Sequence, residues 1–196
     1  LLYRGRFVYK DGYWSREPGN ENSIWERAKR RVLILTKDLN DEEAWDIRAE
    51  TGRNNFSGEN NVVVSAPFYK NLMRWVYGLL TIDANGHAKK FAEIDRQDVY
   101  QPFYDRAPVA RVNCKKQVGK SSIETSVLKS YMERYKDLLV KQISAYDANI
   151  LLCCGASGAI KDFVAENYLT DLMKLNNWIY YSPQTRKMVI DSWHPT

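Results

Sequence analysis

The sequence predicts an α/β fold, a three-layer α/β/α sandwich with a mainly parallel central sheet. Three observations predict it. Val32–Leu35, Val109–Val112 and Ala148–Cys154 are nearly unbroken apolar runs, the pattern of parallel strands buried on both faces. Helical stripes of apolar residues separate them. The runs Val32–Leu35, Val109–Val112 and Val189–Ile190 each lead into a polar side chain: Asp38, Asn113 and His194 respectively. In an open parallel sheet the chemistry gathers at the carboxyl ends of the strands, so an acid, an amide and an imidazole delivered there can share one crevice.

The elements follow in order. Arg6–Tyr9 and Tyr13–Trp14 alternate apolar and polar around Asp11-Gly12, which predicts a hairpin, so residues 1–20 read as an N-terminal extension of one domain spanning 1–196. Ser23–Arg30 predicts a short basic helix capped by Ser23, with Glu26 completing a capping box. Residues 41–61 are polar and aromatic with Gly52 and Gly58, the composition of a long loop with a helical turn through Trp45. Pro67 opens a helix whose stripe is Leu72, Trp75, Val76, Leu79 and Leu80, expected to pack on the sheet. After a variable stretch at 83–108 and the strand at Val109, a long helix is predicted from Ser122 to about Tyr146. Its buried side is Val127, Leu128, Tyr131, Leu138, Leu139 and Ile143. Gly155-Ala-Ser-Gly158 turns the Ala148–Cys154 strand into another helix, and Trp178–Tyr181 with Met188–Asp191 predict a hairpin at the sheet edge.

Composition narrows the class. At 196 residues and 44% hydrophobic content the chain can bury one ordinary core. Lys and Arg outnumber Asp and Glu by 29 to 24, a modest excess that suits a polyanionic partner and equally a solvated surface. No apolar stretch has the length of a membrane span and no leader pattern opens the chain, so the expectation is a soluble, cytoplasmic monomer, nucleoid-associated if bacterial. Cys114, Cys153 and Cys154 lie on or beside buried runs and read as free buried thiols, with neither the number for an iron–sulfur cluster nor the spacing of a zinc site. No metal or cofactor is expected.

The ordered motifs resemble those of the uracil-DNA glycosylase superfamily. Thr36-Lys-Asp38-Leu-Asn-Asp41 stands where that family has a strand running into Gly-Gln-Asp-Pro-Tyr-His, Asn113 where its middle strand ends in Asn, and His194-Pro-Thr196 where it closes on His-Pro-Ser. Asn55-Phe56-Ser57 is similar to its base-stacking segment, and Ala66-Pro67 opens a helix as there. Thr36, Lys37, Leu39, Asn40 and Asp41 depart from the family residues in the first motif. The resemblance implies a DNA glycosylase of repair or phage defence acting on a flipped pyrimidine. It implies Asp38 and His194 as catalytic residues, Lys37, Asn40, Asp41, Phe56 and Asn113 around the base, and Lys115, Lys116, Lys120, Ser121 and Thr196 along the DNA backbone.

The residue chemistry agrees. Cleaving a glycosidic bond to a pyrimidine leaves a cationic sugar and an anionic base, so a carboxylate near the sugar and a donor near the base oxygen are both needed. Asp38 supplies the first and a neutral His194 the second. Asn113 carries an acceptor and two donors that match a pyrimidine edge, and Phe56 can stack on an extruded base. Each also has a plain structural reading. Asp38 could cap a turn, Asn113 could bond backbone, and Phe56 could fill core. His87, in the Asn85-Gly86 turn, reads as surface.

One motif rivals this. Cys114-Lys-Lys-Gln-Val-Gly119-Lys120-Ser121 differs from a Walker A loop only at its first position and would wrap phosphates, with Lys120 on them and Ser121 on magnesium. The other reading has Ser121 capping the following helix with Glu124, and the lysines facing solvent or DNA. A third possibility keeps the scaffold for DNA binding without catalysis.

Overall fold

The computed structural model describes residues 6–10, 13–17, 21–37, 39–40, 67–104, 106–119 and 123–195. Two compact units divide the chain: residues 1–29, 46–109 and 195–196 form one, and residues 30–45 and 110–194 the other.

The first unit begins with β1 (Arg6–Lys10) and β2 (Tyr13–Glu17), antiparallel with Lys10 opposite Tyr13, so the connection is the two-residue Asp11-Gly12 that the sequence predicts. Helix α1 runs Glu21–Arg27. It starts two residues before Ser23, which is therefore inside the helix and not its cap. Further along in chain order come β3 (Val32–Thr36) and β4 (Leu39–Asn40) of the other unit, and then α2 (Pro67–Leu80), opening on Pro67 as expected. Its buried residues are Tyr69, Leu72, Met73, Val76 and Tyr77, a stripe rotated from the predicted one so that Trp75, Leu79 and Leu80 are only half-buried. The variable stretch contains two further helices, α3 (Phe91–Ile94) and α4 (Gln97–Tyr104). Tyr77 meets Phe103 of α4 edge to face, with ring centres 5.0 Å apart. That contact selects the side α2 buries. Asn71 Nδ2 donates to the Pro195 carbonyl at 2.7 Å.

The second unit is built on a six-stranded sheet. Its remaining elements are β5 (Val109–Asn113, whose first residue belongs to the other unit), β6 (Val118–Gly119), α5 (Thr125–Arg134), α6 (Lys136–Tyr146), β7 (Ile150–Cys154), α7 (Ala159–Asn167), β8 (Met173–Lys174), β9 (Ile179–Ser182) and β10 (Lys187–Ser192). The strand order is β5-β3-β7-β10-β9-β8. β7 is parallel to β3, with Leu33 opposite Leu151, and to β10, with Val189 opposite Leu151. All five residues of β3, β5 and β7 are buried. Leu33, Ile34, Leu35 and Leu151 are fully enclosed, and each such side chain contributes about 1.5–3 kcal/mol on leaving water. The chain is thus α/β, with a parallel sheet centre and an antiparallel edge.

Three expectations change. β9 and β10 do pair antiparallel, but β10 lies inside the sheet beside β7, and the edge on that side is the two-residue β8, with β5 at the other. The long helix is two, separated at Tyr135 (φ −114°, ψ 25°), and the first begins at Thr125 after Glu124, so Ser121 does not cap it. The buried stripe through the pair is Leu128, Met132, Leu139 and Ile143, spaced four, seven and four residues. Val127 and Leu138 each sit one residue before a member of that stripe, about 100° round the helix, and are exposed. Helix α7 packs on β7 and β10, and α5 packs on α7. Among the described residues no helix is long and apolar enough to cross a membrane.

Candidate functional site

Beyond their last residues, β3 and β5 stay joined. Cys114 N–H donates to the Thr36 carbonyl and Lys115 N–H to the Lys37 carbonyl, both at 2.8 Å. Asn113 is thereby held beside Thr36, whose hydroxyl donates to Asn113 Oδ1 at 2.5 Å. That bond fixes the amide's orientation and commits one lone pair of Oδ1, leaving its two N–H donors for a ligand carbonyl. The loops that follow meet again, because β4 and β6 pair in parallel, Asn40 opposite Gly119.

The other half of the site depends on a glycine. Gly155 follows β7 with φ +84°, and its N–H donates to the Ser192 carbonyl at 2.8 Å, tying the end of β7 to the end of β10. A Cβ on Gly155 would lie 3.3 Å from the Cβ of His194. The imidazole therefore comes as close to the end of the central strand as it does because no side chain is there. Across the strand order β5-β3-β7-β10, the ends present Asn113, Lys37, Gly155 and His194. At about 4.8 Å per strand, the Asn113 and His194 backbones are about 14 Å apart, a span to be filled by their side chains and a planar ring.

Charge completes the arrangement. Burial pushes the His194 pKa down to about 4, and the nearby charges of Lys37 and then Arg111 lower it further within that shift. At neutral pH the imidazole is uncharged, with one donor and one acceptor nitrogen. Arg111 is 6% exposed in the middle of β5, and the pleat places it on the same face as Asn113. Two cations beside a neutral donor favour an anion forming between them. Replacing Lys37 with Met should raise the His194 pKa, read from an NMR titration of the imidazole, because one of the two cations opposing protonation is gone. An unchanged value would mean Lys37 does not act on this ring. Since the unfolded chain takes up a proton on His194 between about pH 6.5 and 4 that the folded chain refuses, stability declines as pH falls through that window.

The three thiols are free and buried, and burial raises all three pKa values, that of Cys114 to about 12, so they are neutral and inert. His87 is exposed and bonded to Asp83 at 3.1 Å.

The Lys-rich loop differs from its expected form. Lys115 is buried, 9% exposed, and its ammonium donates to the Gln117 carbonyl at 3.2 Å. Lys116 turns its ammonium back onto the Asn113 carbonyl at 2.5 Å. Lys115 is thus turned inward and does not face outward as expected, whereas Lys116 remains exposed with its ammonium on the Asn113 carbonyl. Val118–Gly119 forms a ladder with β4, and helix α5 starts only at Thr125. A Walker A loop instead wraps its backbone round phosphate and runs directly into a helix. Asp38, Asp41, Phe56, Lys120, Ser121 and Thr196 lie outside the described residues, and of Asn40 only the backbone pairing is described.

The structure adds three residues that sequence reasoning passed over. Arg111 was visible as a lone charge inside an apolar strand, a placement that is rare without a role. Gly155 is one of several glycines, and nothing in the sequence gives its distance to His194. Asp191, on β10, lies near the start of α7, where a Cβ on Gly158 would be 3.4 Å from its Oδ2, and burial raises its pKa against the pull of Lys161.

No protein-family model matches the sequence, and no curated protein matches it.

Proposed function

We propose that the protein is a DNA glycosylase that hydrolyses the N-glycosidic bond of a uracil-like or 5-modified pyrimidine, and that its sheet is the middle layer of an α/β/α sandwich of the uracil-DNA glycosylase kind. The observation that carries this reading is the neutral His194 held against Gly155, flanked by Lys37 and Arg111, with the oriented amide of Asn113 on the same sheet edge. Such a site stabilises a planar anion, and the leaving group of this reaction is one.

In the proposed reaction the nucleotide leaves the helix and its base enters between Asn113 and His194. Asn113 donates from Nδ2 to a base carbonyl. As the bond from the sugar carbon C1′ to the base nitrogen breaks, the electron pair stays on the base, and the His194 N–H with the charges of Lys37 and Arg111 holds the anion. Asp38, assigned by the resemblance, offsets the sugar cation and takes a proton from the water whose oxygen bonds to C1′. The base then leaves after protonation.

The family's first motif has a Tyr that stands against the pyrimidine 5-position, and Asn40 replaces it here. A smaller polar residue leaves room for a 5-substituent, with Lys37 and Asp41 available to a polar one. Base release from matched oligonucleotides carrying uracil, mispaired thymine or 5-hydroxymethylcytosine should therefore favour a 5-substituted or mispaired pyrimidine, and Asn40→Tyr should shift the preference toward uracil. Strict uracil preference in the parent, unchanged in the variant, would contradict the assignment of Asn40.

A further inference from the structure

We infer that Trp178 and Trp193 form a stacking platform for unpaired nucleic-acid bases beside His194, an inference that rests on reading the adjacent site as one that takes a nucleotide from DNA. The two indoles contact one another with ring centres 6.0 Å apart at 51°, yet Trp178 is 48% and Trp193 72% exposed. Large aromatics held this open to water are uncommon and mark binding surfaces.

Their backbone is not loose. Trp178 N–H and Ile179 N–H both donate to Asn176 Oδ1 at 2.9 Å, Leu175 N–H donates to the Ile179 carbonyl at 2.9 Å, and Asp191 N–H donates to the Trp178 carbonyl at 2.8 Å. Three of these bonds close the turn and the fourth docks it onto β10, so at least the Trp178 backbone is a fixed base and little ordering is needed on binding.

Position and charge select the occupant. Trp193 directly precedes His194, so its Cα is about 3.8 Å from that of the residue assigned to the departing base. A nucleotide turned out of a helix leaves its neighbours with uncovered faces, and an indole one residue away offers a flat surface to cover one of them. Lys174, exposed on β8 ahead of Leu175, and the net charge of +5 suit a phosphate backbone more than an acidic or neutral apolar partner.

The test uses the whole protein and a plain oligodeoxyadenylate, which carries no pyrimidine and so no substrate base. Titration should quench tryptophan fluorescence. Trp193→Ala and Trp178→Ala should each weaken binding about tenfold, the loss of one base–aromatic stack, while Trp193→Phe recovers most of it and circular dichroism stays unchanged. Equal affinity in parent and alanine variants overturns the platform. So does a concentration-dependent dimer, seen by sedimentation, that the alanine variants abolish without changing DNA affinity, because the patch is then a contact between two copies. Base release is measured separately on a substrate oligonucleotide. Tryptophan-dependent binding without release would leave the platform standing and remove the glycosylase reading, whereas release with tryptophan-independent binding would do the reverse.

Discussion

His194→Ala will lower the rate of base release by about 10²–10³-fold while the protein stays folded. That is the usual effect of removing one preorganised donor from a developing anion. The imidazole is only half-buried at the end of β10, so its loss opens little core, whereas its neutral N–H is placed by the missing side chain at Gly155 and tuned by Lys37 and Arg111. The interaction is needed mainly when charge has built up on the base, so turnover should fall with little change in substrate affinity. Asp38→Asn should produce a loss of similar or larger size, because the sugar cation then meets a neutral amide and the water loses its base. Single-turnover release on one oligonucleotide, with thermal unfolding alongside, measures both. Near-normal rates in both variants would mean that the assigned site is wrong.

The second large effect is expected at Gly155. An alanine there must adopt φ near +84°, at a cost of about 1–2 kcal/mol for an L side chain, and its Cβ would stand 3.3 Å from the His194 Cβ. Real Cβ atoms seldom approach so closely, so the His194 backbone must give way. The shift needed is a few tenths of an ångström, and since a 1 Å displacement of a reacting group costs about 10²-fold in rate, a several-fold loss is expected here. Gly86 supplies the control. It has φ +85°, and nothing within 4 Å would meet its added Cβ. Gly86→Ala should therefore lose a comparable amount of stability and keep full activity, whereas Gly155→Ala should lose both. Equal activity in the two variants would separate Gly155 from the chemistry.

These two positions also show what the sequence could and could not reveal. Val32–Thr36 and Ile150–Cys154 were legible as interior strands because nearly unbroken apolar runs buried on both faces have few other uses, and Val109–Asn113 was legible as a buried strand although β5 stands at the end of the strand order. Their polar ends were legible for the same reason, since a parallel sheet aligns those ends along one edge. The N-terminal hairpin was legible from Asp11-Gly12, and the start of α2 from Pro67. Less was legible where tertiary contact decides. The helix after Ser122 has a periodicity that runs straight through Tyr135, and only the backbone there shows the break. Lys115 looked like a solvent-facing cation from composition, but its side chain is buried with its ammonium on the Gln117 carbonyl, while the exposed Lys116 reaches back to the Asn113 carbonyl, contacts that composition does not encode. The neutral state of His194 depends on burial and on cations arriving from β5 and from the residue after β3, distances that no linear motif encodes.

In the proposed reaction water attacks the sugar carbon and the base departs intact. Incubation with a substrate oligonucleotide in ¹⁸O-water, followed by mass analysis of both products, tests it most directly. An unlabelled free base and an abasic strand are expected, both formed about 10²–10³-fold more slowly with His194→Ala. Label in a base that remains attached to the strand would indicate deamination, and no released base from any pyrimidine substrate would leave a DNA-binding protein without this activity. Either result would contradict it.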